Sequence, residues 1–165
     1  MSNLILINKV KEDNGYYSCM SSDSITYNGI KFKTSEAQFQ WMRFEGHPEV
    51  QKEILEQKSP MGAKMKARKY RDKLNRGEKW DQAPEDIALM KKCLLLKLEQ
   101  HPELKDKLLK SGSATIIEDC TTHDRESARF WGMVYKNGQW IGENMLGKIW
   151  MEIREELQET NEDKK

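Results

Sequence analysis

The architecture follows most directly from one segment, Thr34-Ser35-Glu36-Ala37-Gln38-Phe39-Gln40-Trp41-Met42-Arg43-Phe44. Ser35 followed three residues later by Gln38 is a helix start signal, so we expect a helix from Ser35 onwards. At about 100° per residue, Glu36, Gln40 and Arg43 fall on one narrow polar stripe of that helix.

A second polar stripe, formed by Gln38 and Glu45, falls on the opposite side of the same helix. An ordinary surface helix has a single polar face. We therefore expect one stripe to face water and the Glu36 stripe to lie between packed apolar side chains as a cleft wall. The simpler alternative is that Glu36 is a solvated first-turn carboxylate favoured by the helix dipole.

Composition favours a single soluble domain whose net charge does not by itself attract nucleic acid or membrane. The chain has 165 residues, with 28 Lys plus Arg against 27 Asp plus Glu. A near-zero balance gives no global attraction to nucleic acid or membrane. The odd number of cysteines, without paired spacing, is typical of reduced thiols. No stretch has the length of a membrane span or a signal peptide, and we expect a cytoplasmic protein.

No metal or other cofactor is expected. Cys120-x-x-His123 is at most half a metal site, and no second Cys/His pair accompanies it.

Short strands are predicted in the first third of the chain and again near its end. The clearest is a hairpin joined by Asn28-Gly29. The predicted strands are Leu4 to Ile7, Tyr16 to Met20, Ile25 to Tyr27, Ile30 to Phe32, Ala114 to Glu118 and Trp131 to Tyr135.

Helices are predicted to dominate the rest. Ser59-Pro60 supplies an N-cap and a first-turn proline, and Pro84 starts a helix that is apolar almost all round, as in a core helix. The predicted helices after the first are Pro48 to Gln57, Ser59 to about Leu74, Glu85 to Gln100, Pro102 to Lys110 and Met145 to about Gln158. The fold class is therefore α+β, predominantly helical, with one domain over residues 1–158 and a frayed tail over 159–165.

Three further groups of residues could bind a ligand. The basic segment with Lys64 and Arg68 follows a helix N-terminus that suits phosphate, although a solvated basic face explains most of it equally. Trp80, in a connection, fits a core plug and a stacking plate for a base or sugar equally well. The loop from Cys120 to Gly132 carries Asp124, which could line a site or cap a turn.

Together these segments resemble the YbiA-like family, also called NADAR, over residues of about 15–157. No single piece is specific, but the ordered set is. Its pieces here are Ser35-Glu36, Phe39-Gln40, Arg43, Ser59-Pro60, Ala63-Lys64, Arg68, Trp80, Lys97, Gln100, Pro102, Leu104, Leu109, Glu118, Asp124, Trp131-Gly132 and Gly142-x-Asn144-x-Leu146-Gly147-x-x-x-Met151-x-x-Arg154.

The resemblance implies hydrolysis of an N-glycosidic bond between ribose and a base or amino-pyrimidine. Some family members cleave early riboflavin-pathway intermediates bearing ribose 5-phosphate, such as 5-amino-6-ribosylaminouracil 5′-phosphate. Others remove ADP-ribose from guanine in DNA. Water and two carboxylates suffice for this chemistry, and the substrate would be a small ribosyl phosphate or ADP-ribosylated guanine.

Carried over by position, the active-site residues are Glu36, Trp80, Asp124 and Trp131. A carboxylate beside the sugar stabilises an oxocarbenium-like state or activates water, which is the role expected of Glu36. Asp124 would hold ribose hydroxyls or the leaving group. The two tryptophans would stack on the base or exclude water.

Four other residues are candidates for binding the substrate. Arg43, Lys64 and Arg68 are candidates for binding phosphate or pyrophosphate. Asn144 is a possible substrate contact, but fits the N-cap of the last helix better.

The chain departs from the family pattern near the expected site. Cys19 replaces the asparagine of an S-N-F motif, and Ala37 replaces a histidine. Arg43 replaces a lysine, which keeps the charge but removes an amine able to form a Schiff base. Extra residues before Trp131 leave Asp119 as the alternative to Asp124.

Two other functions stay open, and the departures at Cys19 and Ala37 motivate the first of them. One is a non-catalytic module that binds ADP-ribose or NAD. The other is a nucleic-acid-binding helical protein that uses the basic stretch from Lys64 to Lys79, against which the near-zero net charge argues.

Overall fold

A computed structural model describes residues 3–163, with side chains described up to residue 161. The chain divides into two compact units. Cys19–Gln100 forms one, here called the central unit because it lies in the middle of the sequence. The chain up to Ser18 and from His101 onwards forms the other, here called the terminal unit.

The central unit is a hairpin followed by four helices, as the sequence predicts. Strands β2 and β3 pair antiparallel, and Asn28 (φ 52°) and Gly29 (φ 76°) form the turn between them. A two-residue hairpin turn with positive φ at both central positions favours the pair Asn-Gly, since both residues tolerate this conformation. The elements are β2 Ile25–Tyr27, β3 Ile30–Phe32, α1 Ser35–Arg43, α2 Pro48–Leu55, α3 Pro60–Lys69 and α4 Pro84–Gln100.

Helix α1 is capped one residue earlier than predicted. The Thr34 side chain accepts a hydrogen bond from Ala37 N at 3.1 Å, so Thr34 is the N-cap and Ser35 is the first helical residue. Both residues are good caps by type. The backbone of Thr34 is extended (φ −146°), which is the conformation that an N-cap requires.

Helix α3 is shorter than predicted. Ser59 caps it by accepting from Gly62 N at 3.0 Å, but the helix ends at Lys69 rather than near Leu74. A separate 3₁₀ turn, Arg71–Leu74, follows and ends at Asn75, whose positive φ of 54° breaks the helical path.

The terminal unit is built on a parallel pair of strands. β1 (Leu4–Ile7) pairs with β4 (Thr115–Glu118) in the register Leu4↔Thr115 to Ile7↔Glu118. The predicted strand from Tyr16 to Met20 is wrong, because Gly15–Tyr17 forms a 3₁₀ helix whose backbone bonds close locally. Its other helices are α5 Pro102–Lys110, α6 Glu126–Trp131 and α7 Met145–Asp163.

The terminal unit contains a second hairpin, which was not predicted from the sequence. β5 (Val134–Lys136) and β6 (Gln139–Ile141) pair around Asn137 and Gly138, both with positive φ. The Asn-Gly signal was present here as in the first hairpin. The predicted strand from Trp131 to Tyr135 is therefore wrong at its start, since Trp131 ends α6.

Helix α7 packs closely against β4. A Cβ added to Gly147 would lie 2.1 Å from Ile116 O, so only glycine permits this approach. The helix also continues to Asp163 rather than ending near Gln158. No glycine or proline interrupts the sequence there, and Thr160 Oγ1 donates to Glu156 O at 3.0 Å.

Candidate functional site

The Glu36 stripe of α1 lies in the protein interior. The exposed fractions of Glu36, Gln40 and Arg43 are 6%, 3% and 4%. The expectation that the opposite stripe faces water holds for Glu45, which is exposed, but is wrong for Gln38, which is fully buried. Glu36 is therefore not the solvated first-turn carboxylate of the simpler alternative.

Hydrogen bonds fix the orientation of the Glu36 carboxylate. Gln40 Nε2 donates to Glu36 Oε1 at 2.8 Å, and Arg43 Nη1 donates to Gln40 Oε1 at 2.9 Å. Among the described residues, no group donates to Glu36 Oε2. One oxygen is thus held by the protein while the other keeps its full capacity to accept.

The backbone also anchors the start of α1. Glu36 N donates to Cys19 O at 3.0 Å, which ties the first turn to the preceding segment. The side chain of Cys19 donates to Met90 Sδ of α4 at 3.4 Å.

Arg43 links the stripe to α4 through a buried ion pair. Its Nε lies 2.9 Å from Asp86 Oδ1, and neither side chain has exposed surface. Its Nη2 donates to Trp80 O, and its guanidinium carbon lies 4.3 Å from the centroid of the Trp80 ring. Burial lowers the pKa of Arg43, while Asp86 acts in the opposite direction.

These contacts revise the predicted phosphate-binding role of Arg43. Its guanidinium is enclosed and already bonded to Asp86, Gln40 and the Trp80 carbonyl. Arg43 therefore positions its neighbours, and its charge is matched inside the protein.

Asp86 is a key residue that the sequence analysis missed. Besides Arg43, it accepts from Arg76 Nη1 and from Ala83 N, the latter at 3.0 Å. The available signal was its place in the first turn of α4, where an acidic side chain bonds back to the N-cap amide.

The sequence left two roles open for Trp80, core packing and ligand stacking. Its position in the structure agrees with core packing. Its exposed fraction is 8%, and it belongs to an apolar cluster between α1, α2 and α3. The cluster contains Phe44, Val50, Ile54, Ala63, Ala67 and Trp80. In this conformation one ring face contacts the Arg43 guanidinium.

Lys97, one of the residues of the family pattern, is fully buried in α4, which the sequence did not predict. It has no exposed side-chain surface, donates to Ser21 Oγ at 2.8 Å and lies 3.6 Å from Asp23 Oδ2. Burial lowers its pKa, and Cys19 and Asp23 oppose that shift. A lysine is almost never fully buried without such partners.

Cys93 of α4 is a fully buried thiol. Burial and the charge of Glu36 raise the pKa of the Cys93 thiol far above its usual range. Cys93 Sγ lies 3.6 Å from Met42 Sδ. The raised pKa disfavours the thiolate, which is the reactive form of cysteine.

Lys64 and Arg68 lie on α3 of the same unit but outside the Glu36 network. Lys64 is half-buried and Arg68 is exposed. Within the described part of the chain, neither side chain forms a hydrogen bond or an ion pair.

Asp124 lies in the terminal unit on an exposed segment before α6. Arg129 Nε and Nη2 donate to its two carboxylate oxygens at 2.7 and 2.9 Å. This pairing holds the pKa of Asp124 below its ordinary value, so the group is a carboxylate at neutral pH. Asp124 can therefore accept hydrogen bonds, but it is poorly suited to donate a proton.

Asp119, the alternative to Asp124, has a local structural role. Its Oδ1 accepts from Thr121 N at 3.0 Å and from the Thr121 hydroxyl. These bonds close the turn at the end of β4, as an Asx motif does.

Trp131 is half-buried at the C-terminal end of α6. Its ring meets Phe130 edge-on, with 5.2 Å between the centroids. The loop predicted from Cys120 to Gly132 in fact contains a short 3₁₀ turn and α6.

Asn144 does not cap α7 with its side chain, as the N-cap hypothesis required. Its Oδ1 accepts from Glu118 N at 3.1 Å and its Nδ2 donates to Ile116 O at 2.9 Å. The amide thus satisfies the edge of β4 opposite β1. With an exposed fraction of 5%, Asn144 is a structural link.

Three of the predicted site residues, Glu36, Arg43 and Trp80, thus come together in one network of the central unit. Asp124, Trp131 and Asn144 belong to the terminal unit. The described residues include no cluster of three or more metal-ligating side chains, and no described helix is long and apolar enough to cross a membrane.

Comparison with known proteins relates the whole arrangement to one family. The NADAR domain model matches residues 7–158. The N-glycosidase YbiA of Escherichia coli is 34% identical over 147 residues, which cover 88% of this chain and 83% of that protein.

One solved structure and one further protein are also similar to this chain. The NMR structure of E. coli YbiA superposes with a TM-score of 0.71 and 29% sequence identity, covering 98% of this chain and 89% of that one. The riboflavin biosynthesis protein VVA0006 of Vibrio vulnificus is 28% identical over 148 residues, or 90% of this chain and 37% of that longer protein.

Proposed function

The chain belongs to the NADAR family, and we propose that it is an N-glycosidase that hydrolyses the bond between ribose and a nitrogen base in a phosphorylated substrate. Its relatives support the reaction class, since several are named N-glycosidases. The substrate is either a riboflavin-pathway intermediate or an ADP-ribose group on guanine. A relative named for riboflavin biosynthesis favours the first.

The observation that carries the proposal is the state of Glu36. Its carboxylate is buried, one oxygen is fixed by Gln40, and the other has no protein donor among the described residues. Cleavage of a ribosyl C–N bond builds positive charge on the sugar, and a preorganised carboxylate stabilises that charge in a site of low polarity. The same oxygen can instead accept a proton from the attacking water.

The other residues of the network act through Glu36. Gln40 presents its amide nitrogen to the carboxylate only because Arg43 occupies its amide oxygen. Asp86 in turn fixes Arg43. This order makes Gln40, Arg43 and Asp86 positioning residues, and Trp80 supports the same guanidinium from its ring face.

The proposed role of Asp124 is to bind the substrate rather than to donate a proton. Its carboxylate stays ionised beside Arg129 and can accept hydrogen bonds from ribose hydroxyls. Lys64 and Arg68, which are unpaired among the described residues, remain candidates for the phosphate.

The test offers two substrates to purified protein in parallel. They are 5-amino-6-ribosylaminouracil 5′-phosphate and DNA carrying ADP-ribosyl guanine, with mass spectrometry of the released sugar. Release of ribose 5-phosphate or ADP-ribose supports the proposal and identifies the substrate branch. Saturable binding of ADP-ribose without any product, from folded protein at high concentration, would instead favour a non-catalytic binding module.

A further inference from the structure

A cleft of about 380 Å³ lies in the central unit on a different face of α1 from Glu36. Its walls come from the turn and second strand of the β2–β3 hairpin, the start of α1 and the connection between α2 and α3. Thr34 and Ala37 of α1 line it, whereas Glu36, Gln40 and Arg43 do not. Its volume is within the range of small-molecule sites.

The floor of the cleft is apolar. Phe32 and Ile54 are buried at its base, and Ala37, Leu55 and Pro60 leave part of their surface accessible. An apolar or aromatic group of a ligand would bind favourably to such a surface, because binding removes apolar area from water.

The rim of the cleft is cationic. Lys31, Lys33 and Lys58 line it and are all exposed, while no aspartate or glutamate is among the lining residues. None of these three ammonium groups forms an ion pair with a carboxylate of residues 3–161. Their charges are therefore available to an anion.

Two helix N-termini add to this positive potential. Thr34, the N-cap of α1, and Ser59, the N-cap of α3, both line the cleft. The N-terminal end of a helix carries a partial positive charge, and here two such ends meet at one cleft.

We propose that this lysine-rimmed cleft binds a small organic phosphate, with the phosphate at the lysines and an apolar or aromatic group on the floor. The site is separate from the Glu36 network and needs no catalytic residue. It therefore provides a second place at which a phosphorylated compound can bind this protein.

The test uses phenyl phosphate, which has both parts and no N-glycosidic bond. Titration of full-length, ¹⁵N-labelled protein should shift the amides of residues 29–37 and 57–62 with a Kd of about 0.5–5 mM, as expected for a ligand of this size. Phenol and inorganic phosphate, each offering one part, should bind at least about fivefold more weakly. Higher salt should weaken the binding of phenyl phosphate.

Two variants and a matched control make the result decisive. The combined change Lys31→Gln, Lys33→Gln and Lys58→Gln should weaken binding at least about tenfold, whereas Lys9→Gln, Lys105→Gln and Lys110→Gln together should leave it within about twofold. Ala37→Leu fills the cleft without changing charge, and should also weaken binding.

Three outcomes would overturn the proposal. Equal binding by the cleft and control variants would show that the lysines of the rim are not involved. Shifts confined to other segments would place the ligand elsewhere. Phosphate binding as tightly as phenyl phosphate would remove the role of the apolar floor. Since the probe is not cleaved, none of these results depends on the N-glycosidase activity.

Discussion

Arg43 with Asp86 in the central unit, and Arg129 with Asp124 in the terminal unit, are the same chemical pair in opposite surroundings. The first pair has no exposed side-chain surface, whereas each side chain of the second is 38% exposed. Asp86 also accepts from Arg76 and Ala83, but Asp124 is paired with Arg129 alone among the described residues.

The buried pair is suited to hold neighbouring side chains in place, whereas the exposed pair is accessible to a ligand. A buried ion pair holds its neighbours in one arrangement, and removing one partner leaves an uncompensated charge. An exposed pair contributes little stability and can exchange partners with water or substrate. We therefore expect the buried pair to support Glu36 and the exposed pair to affect function more than stability.

The largest stability effect is expected from Asp86→Asn. This change leaves Arg43 buried without its counter-charge and should lower the free energy of unfolding by about 3–5 kcal/mol. Urea denaturation followed by circular dichroism would measure it, with the exposed Asp106→Asn as the control. A loss below about 1 kcal/mol would show that the pair does not organise the central unit.

A smaller loss is expected from Gln40→Met. It keeps the length of the side chain but removes the bonds that join Glu36 to Arg43, at a cost of about 1–3 kcal/mol for unpaired buried groups. Because Glu36 also loses its fixed orientation, kcat should fall more than KM changes. Unchanged kcat would contradict the positioning role of Gln40.

Part of this contrast could be predicted from the sequence, and part could not. The helical spacing placed Glu36, Gln40 and Arg43 on one stripe, and their separation by apolar residues indicated burial. The partner Asp86 is 43 residues away from Arg43 along the chain, and local periodicity carries no information on such contacts. A phosphate role was therefore assigned to an arginine whose charge is matched internally.

Other errors also come from contacts that the local sequence does not specify. Both Thr34 and Ser35 are favourable caps, and only the observed hydrogen bond to Ala37 N distinguishes them. Asn144 has the residue type of an N-cap, but its amide satisfies the edge of β4, which depends on the packing of α7. Conversely, the turn conformation of both hairpins depends on the Asn-Gly pair itself, although only the first hairpin was predicted from that signal.

Asp124→Asn should affect function far more than folding. Since Asp124 is exposed, its loss should lower the urea midpoint only slightly. If its carboxylate binds ribose hydroxyls, kcat/KM should fall by about 10- to 100-fold. Parallel denaturation and steady-state assays test both statements, and Asp119→Asn provides the comparison with the turn-closing carboxylate.

The smallest expected effect is the pH dependence of the exposed pair. Arg129 holds the pKa of Asp124 below its ordinary value of 3.8 in the folded protein. A carboxyl group with a lowered folded pKa contributes stability that is complete above the unfolded value and is lost as pH falls through the folded value. The stability difference between wild type and Asp124→Asn should therefore be constant above about pH 5 and shrink below about pH 4.

The most direct test of the role of Glu36 is the cleavage rate of Glu36→Gln under single-turnover conditions, with whichever ribosyl substrate the wild type hydrolyses. Glu45→Gln, an exposed position just after the same helix, is the matched control. We predict a fall of about 10²–10⁴-fold for Glu36→Gln and little change for Glu45→Gln, both in folded protein. Cleavage by Glu36→Gln at the wild-type rate would contradict the assignment of catalysis to the buried network.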